Sequence, residues 1–146
     1  MITNYDVVNL SAGMPDPDLI NGVFDAFLKL MDSANQHDVD KHLSFYLNHP
    51  GLTFVLNTEI IHGWDTLRSK QILWWKNGQN DVQYKWNNLR IACLSDTLIA
   101  TVANLSSERT GETGEILHAN FAFSATWLKS AKGWRIVNAH ETMIKN

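Results

Sequence analysis

Two adjacent ionisable residues close the last apolar stretch of the sequence: His140 and Glu141, in the run GWRIVNAHET from Gly133 to Thr142. A carboxyl group held in apolar surroundings is pushed toward its neutral form and becomes a general acid or base near neutral pH. An imidazole titrates there without help. Neighbours on a strand face opposite ways, so only one of the two enters an interior. A four-residue turn at 130–133 pairs His140 with Phe123 and turns it inward, whereas a bulged three-residue turn shifts the register and presents Glu141 instead. Both stand as candidate catalytic residues.

Other chemistry is thinner. Glu59, His62, His118 and His140 invite a metal reading, but no His-x-His or His-x3-His spacing occurs among them, so no metal site is expected. His37, His42 and His49 read as solvated surface around a short helix. The lone Cys93, in Arg-Ile-Ala-Cys-Leu, reads as a small core hydrophobe and excludes an internal disulfide. There is no glycine-rich phosphate loop, no Ser-His-Asp order and no Cys-x-x-Cys, and no cofactor is expected. On a helix beginning at Gly63, residues Trp64, Leu67, Ile72, Trp74 and Trp75 share a broad apolar face. Arg68 and Gln71 fall within it, either snorkelling at its edge or reaching polar contents of a cavity. The six tryptophans suit core filling, a dimer face, or the lining of a hydrophobic ligand site.

These residues need a scaffold. A chain of 146 residues, 45% hydrophobic and 18% charged, is the size of one domain, read here as 1–146 with a core of about 16–144. A net charge of −3, with no basic run longer than two, argues against nucleic acid and against a membrane surface. No apolar run approaches the ~18 residues of a spanning helix, and the reading is of a cytoplasmic protein.

Residues 1–14 read as a mixed arm. Asp16 caps an amphipathic helix that runs to about residue 35, with Pro17 at its first position. Gly22 inside that helix points to close approach of another backbone. A second helix spans about 39–47 and stops before Pro50. Strands follow at 52–56 and 59–62, then a third helix to about 77–78. Four long strands at 82–94, 97–109, 115–128 and 134–144, joined by short turns, make an antiparallel meander. The whole is an α+β fold, a curved antiparallel sheet wrapped on three helices with a cavity at its open end.

In that order, several words resemble the nuclear-transport-factor-2-like superfamily in its SnoaL-like branch, most nearly the association domain of calcium/calmodulin-dependent kinase II. They are His49-Pro-Gly-Leu-Thr53, His62-Gly-Trp-Asp65, Gly111-Glu-Thr-Gly114, Thr126-Trp-Leu-Lys129 and the run from Gly133 to Thr142. The resemblance implies a conical cavity and a homodimer through the outer sheet face, with rings of dimers in the association domain. It places Trp75 on a cavity tryptophan and Leu67 on a cavity histidine. Leu105, Ala125 and Glu141 fall on three cavity arginines. Those residues, with Phe123, Arg68 and Gln71, are the expected pocket lining, and the resemblance favours Glu141 over His140. Without the arginines the implied ligand is apolar or amphipathic rather than a small anion. The Tyr and Asp of ketosteroid isomerases have no counterparts here: the first helix carries phenylalanines, and the strand at 52–56 has no carboxylate. The Asp-Arg-Asp set of limonene-epoxide hydrolases is also missing, since Leu89 and Ile91 flank Arg90. The expected function is a SnoaL-like small-molecule-binding protein acting as an isomerase, cyclase or hydrolase. The alternative is a non-catalytic oligomerisation or ligand-sensing module.

Overall fold

Long strands joined by short turns satisfy their backbone groups by pairing in sequence. In the computed structural model, which describes residues 5–13 and 16–144, they do so. β4 (Gln83–Cys93), β5 (Leu98–Thr110), β6 (Ile116–Ser130) and β7 (Gly133–Met143) form an antiparallel meander. Two additions make the sheet mixed rather than purely antiparallel. β1 (Tyr5–Asn9), inside the supposed arm, pairs in parallel with β4. β2 (Thr53–Leu56) pairs in parallel with β7, and β3 (Glu59–His62) pairs antiparallel with β2. The order is β1-β4-β5-β6-β7-β2-β3, an unclosed sheet in which β7 is flanked on both sides. A strand of five residues beginning Tyr-Asp has too short an alternation to be seen in the sequence.

The concave face is covered by α1 (Pro17–Asn35), α2 (Val39–Leu43) and α3 (Trp64–Trp74). Asp16 caps α1, its carboxylate accepting from the Asp18 amide at 2.9 Å, with Pro17 in the first turn. Burial holds α1 more firmly than its cap. Val23, Phe27 and Leu30 are fully buried against Leu89, Ile91, Trp127 and Ile136. Each contributes about 1.5–3 kcal/mol, against about 1 kcal/mol for a cap. The close approach at Gly22 is to a side chain, not a backbone: a β-carbon there would lie 3.0 Å from Trp134 Nε1.

α2 ends at Leu43, earlier than the 47 expected, because the chain turns to join the sheet. Ile136 N donates to Phe45 O and Leu47 N donates to Ile136 O, each at 2.8 Å. That bridge carries Tyr46 onto β7. α3 ends at Trp74, where Lys76 and Asn77 take left-handed backbone conformations.

Candidate functional site: an aromatic cavity with one unpaired carboxyl

The site begins with a register. The β6–β7 hairpin turns through Ala131 and Lys132, pairing Ser130 with Gly133 and Trp127 with Ile136. Continued without interruption, that register would set His140 opposite Phe123. It is interrupted: Thr126 pairs with Asn138, leaving Val137 as an extra residue on β7. Beyond this bulge Phe123 faces Glu141 and Ser124 faces His140. The turn is the tight one that predicted His140 inward, and a bulge in mid-strand reverses its outcome.

Glu141 therefore lines a cavity of about 460 Å³ between the sheet and the helices. Leu30 and Met31 from α1, with Phe54, Leu105 and Phe123 from the sheet, form apolar walls, and Trp74 and Trp75 add aromatic ones. Leu117, Arg109, His118 and Met143 rim the outer part. From the level of Phe123 to that of Leu117 is six residues of β6, about 20 Å of strand, so the space is elongated.

Burial dominates the electrostatics of its polar groups. It pushes the Glu141 carboxyl up to about 7, and no hydrogen-bond partner for that carboxyl occurs among the described residues. Tyr46 is raised well above the ordinary tyrosine value, first by burial and then by the charge of Glu141. Tyr84 is pushed up to about 12 by burial, with a smaller push from Glu141, against the lowering effect of the Trp75 Nε1–H donated to its hydroxyl at 3.2 Å. Burial lowers His42 to about 4, partly opposed by its bond to the Leu30 carbonyl. At neutral pH both phenols and the imidazole of His42 are uncharged, and of these four groups Glu141 is the one poised to exchange a proton.

Glu141, Phe123, Leu105, Gln71 and Trp75 are brought together around the cavity. His140 is on the outer face, its Nε2 2.7 Å from Thr142 Oγ1. Leu67 is core, one helical turn before Gln71 on the same face of α3 and too deep to reach the open space. Arg68, about 100° further round the helix, points away and bonds Asp40 through Nε and Nη2, each at 3.0 Å. Ala125 sits two residues deeper than Phe123, where Ala139 opposite and Trp127 beside it leave no room. These three placements correct the expected lining.

His42 corrects another expectation. It is buried, not solvated, with its ring centre 4.9 Å from that of Trp75. His37 is half-buried, bonding the Val82 carbonyl. Tyr46 and Tyr84 line the cavity as well, outside the expected set. The Val82-x-Tyr84-x-Trp86 alternation carried the signal for one. The spacing of Val39, His42, Leu43 and Tyr46 carried it for the other. Among the described residues no group of three His, Cys, Asp or Glu is placed to hold a metal ion, and no helix is long and apolar enough to cross a membrane.

No protein-family model matches this sequence, and no curated protein matches it significantly. Solved structures do match. A Streptomyces avermitilis protein, provisionally named a dehydratase of the nuclear-transport-factor-2-like family, superposes with a TM-score of 0.79 at 12% identity, over 90% of this chain and 100% of that one. The fold is nuclear-transport-factor-2-like. A ketosteroid isomerase-like protein from Erwinia carotovora atroseptica superposes with a TM-score of 0.73 at 14% identity, over 90% of this chain and 100% of its own. A Xanthomonas campestris protein, provisionally assigned as a calcium/calmodulin dependent protein kinase II association domain, superposes at 0.67 and 14% identity, over 100% and 99%. Within the nuclear-transport-factor-2-like fold, the cavity lies between the curved sheet and its helices, and this chain's bulge at Val137 decides which side chain of β7 enters it.

Proposed function

We propose that this chain is a SnoaL-like small-molecule-binding protein of the cytoplasm. Its ligand is amphipathic and lies in the aromatic cavity, where Glu141 takes and returns a proton. The reading rests on one observation: a carboxyl with no partner among the described residues, raised to about 7, lines a cavity whose inner walls are otherwise apolar and neutral polar groups, with Arg109 and His118 at the rim. Such an acid transfers protons at neutral pH with little thermodynamic loss in either direction. The reaction class is proton transfer at a carbon or ring oxygen, as an isomerase, cyclase or hydrolase requires. Arg109 and His118 at the rim suit the solvated end of the ligand.

The test is to extract and identify the small molecule that copurifies with the chain, and follow its exchange of carbon-bound protons with D2O by NMR. Wild type should catalyse exchange, and Glu141→Gln should slow it by about 10²-fold or more while still binding the molecule. Equal exchange by both proteins sinks the catalytic role.

A second reading, oligomerisation, has its own support on the outer sheet face. Val102, Asn104, Ala122 and Ser124 form adjacent cross-strand pairs there, all exposed and uncharged. A homodimer through that face, with rings of dimers as a further step, suits such a surface. Sedimentation of wild type against Ser124→Arg tests it: the variant should be monomeric, and a wild type that is itself monomeric at micromolar concentration removes the idea.

A further inference from the structure

The cavity's polar atoms are not interchangeable, and one has its hydrogen-bonding sense fixed from behind. His42 Nδ1 lies 3.2 Å from the Leu30 carbonyl and 3.0 Å from Ser33 Oγ. A carbonyl only accepts, so Nδ1 carries the proton. The Ser33 hydroxyl donates to that same carbonyl at 2.6 Å, which leaves its lone pairs for Nδ1–H. The tautomer is thereby set, and Nε2 has a lone pair and no hydrogen. Among the described residues Nε2 has no partner. No side-chain nitrogen or oxygen sealed from solvent lacks a partner either. Nε2 therefore opens into the cavity that His42 lines.

Two further groups point the same way. Tyr46 is 4% exposed and Gln71 is 7% exposed, yet neither hydroxyl nor amide has a partner among the described residues. His42 itself is 8% exposed. None of these atoms is sealed from solvent, so each opens onto the cavity, and a ligand that displaces water there must bond them or forfeit about 1–3 kcal/mol each. Three of them around one cavity describe the complement of a ligand's polar end. The aromatic walls of Phe54, Trp74 and Trp75 describe a flat body beside it.

We infer that the ligand carries an uncharged aromatic hydroxyl whose O–H is donated to His42 Nε2, with Tyr46 and Gln71 bonding the remaining lone pairs of that oxygen or its neighbour. This deepens the proposed function and rests on its premise that the cavity binds a small molecule. A carboxylate or a bare ketone offers no hydrogen to Nε2. An ammonium donates, but sheds its hydration at large cost among apolar walls. Ser33 is a positioning residue: it touches no ligand and fixes which nitrogen accepts.

The probes are 4-phenylphenol and 4-methylbiphenyl, equal in shape and differing by OH against CH3. Titration by tryptophan fluorescence at pH 6 should give wild type about tenfold tighter affinity for the phenol, although the methyl compound is the more hydrophobic. In His42→Phe that preference should vanish while 4-methylbiphenyl still binds. The 15N resonance of His42 Nε2 in wild type should move on adding the phenol and not on adding the hydrocarbon, a readout that needs no variant to fold. Equal wild-type affinities, or a phenol that leaves the Nε2 resonance unmoved, overturn the hydroxyl assignment and leave the binding cavity standing. Failure of both probes to bind overturns the binding reading and this inference together.

Discussion

Glu141 and His42 line one cavity, and burial drives their proton affinities in opposite directions. Folded Glu141 holds a proton that the unfolded chain has released, so its contribution to stability falls as pH rises from about 4.5 to about 7. Folded His42 refuses a proton that the unfolded chain takes, so its contribution rises with pH from about 4 to about 6.5. Each slope corresponds to one proton, about 1.4 kcal/mol per pH unit. Between about 4.5 and 6.5 they cancel.

Glu141→Gln removes one side of that balance. Relative to wild type, the variant should gain stability steadily from pH 4.5 to 7, reaching at most about 3 kcal/mol above pH 7, since water in the cavity softens the penalty. Urea unfolding at pH 4.5, 5.5, 6.5 and 8 measures the difference. A difference that does not change with pH would show that Glu141 is not desolvated.

Deleting Val137 should remove the bulge and leave every pairing beyond it in place: Asn138 stays opposite Thr126, and Glu141 stays inward opposite Phe123 and beside Leu56 of β2. NMR titration should still find the Glu141 carboxyl raised by burial. A glutamate that turns outward in the deletion variant contradicts this account of the register.

Adjacent residues on α3 should behave very differently. Leu67→Ala empties a fully buried site and should cost about 2–5 kcal/mol. Arg68→Ala breaks an exposed pair with Asp40 and should cost less than about 1 kcal/mol. Thermal melts decide it. Arg68→Ala should also leave 4-methylbiphenyl affinity unchanged, and a loss there would return Arg68 to the cavity.

His140→Ala should leave both stability and probe affinity near wild type, since the ring stands on the outer face and bonds only the neighbouring Thr142 among the described residues. Altered self-association in that variant, with binding intact, would instead mark His140 as part of the outer-face contact.

The sequence made the scaffold legible because its signals were long. Nineteen residues of α1 and four strands of eleven to fifteen residues repeat their periods often enough to be read. The site was less legible because it depends on single residues. Val137 has no composition that announces a bulge, yet it decides between His140 and Glu141. His42 sits on a helix of five residues, too short for one face to stand out as buried. Arg68 and Gln71 shared a face on an ideal wheel, and only the position of Asp40 shows which of them turns away.

The position of β7 between β6 and β2 has a consequence for the order of assembly. β2 waits for a partner some 85 residues later in the chain, and Asn57 is tied to both Glu141 O and Met143 N at 2.8 Å. Such distant pairings form late, because loop closure precedes any reward from the contacts. During synthesis, the three helices and the β4–β6 meander leave the ribosome before residues 133–143 do. Until that last segment arrives, β2 has only β3 beside it, and the aromatic walls lack the Glu141 carboxyl. Entry of Glu141 into the cavity and completion of the sheet are thus a single event in the life of the nascent chain.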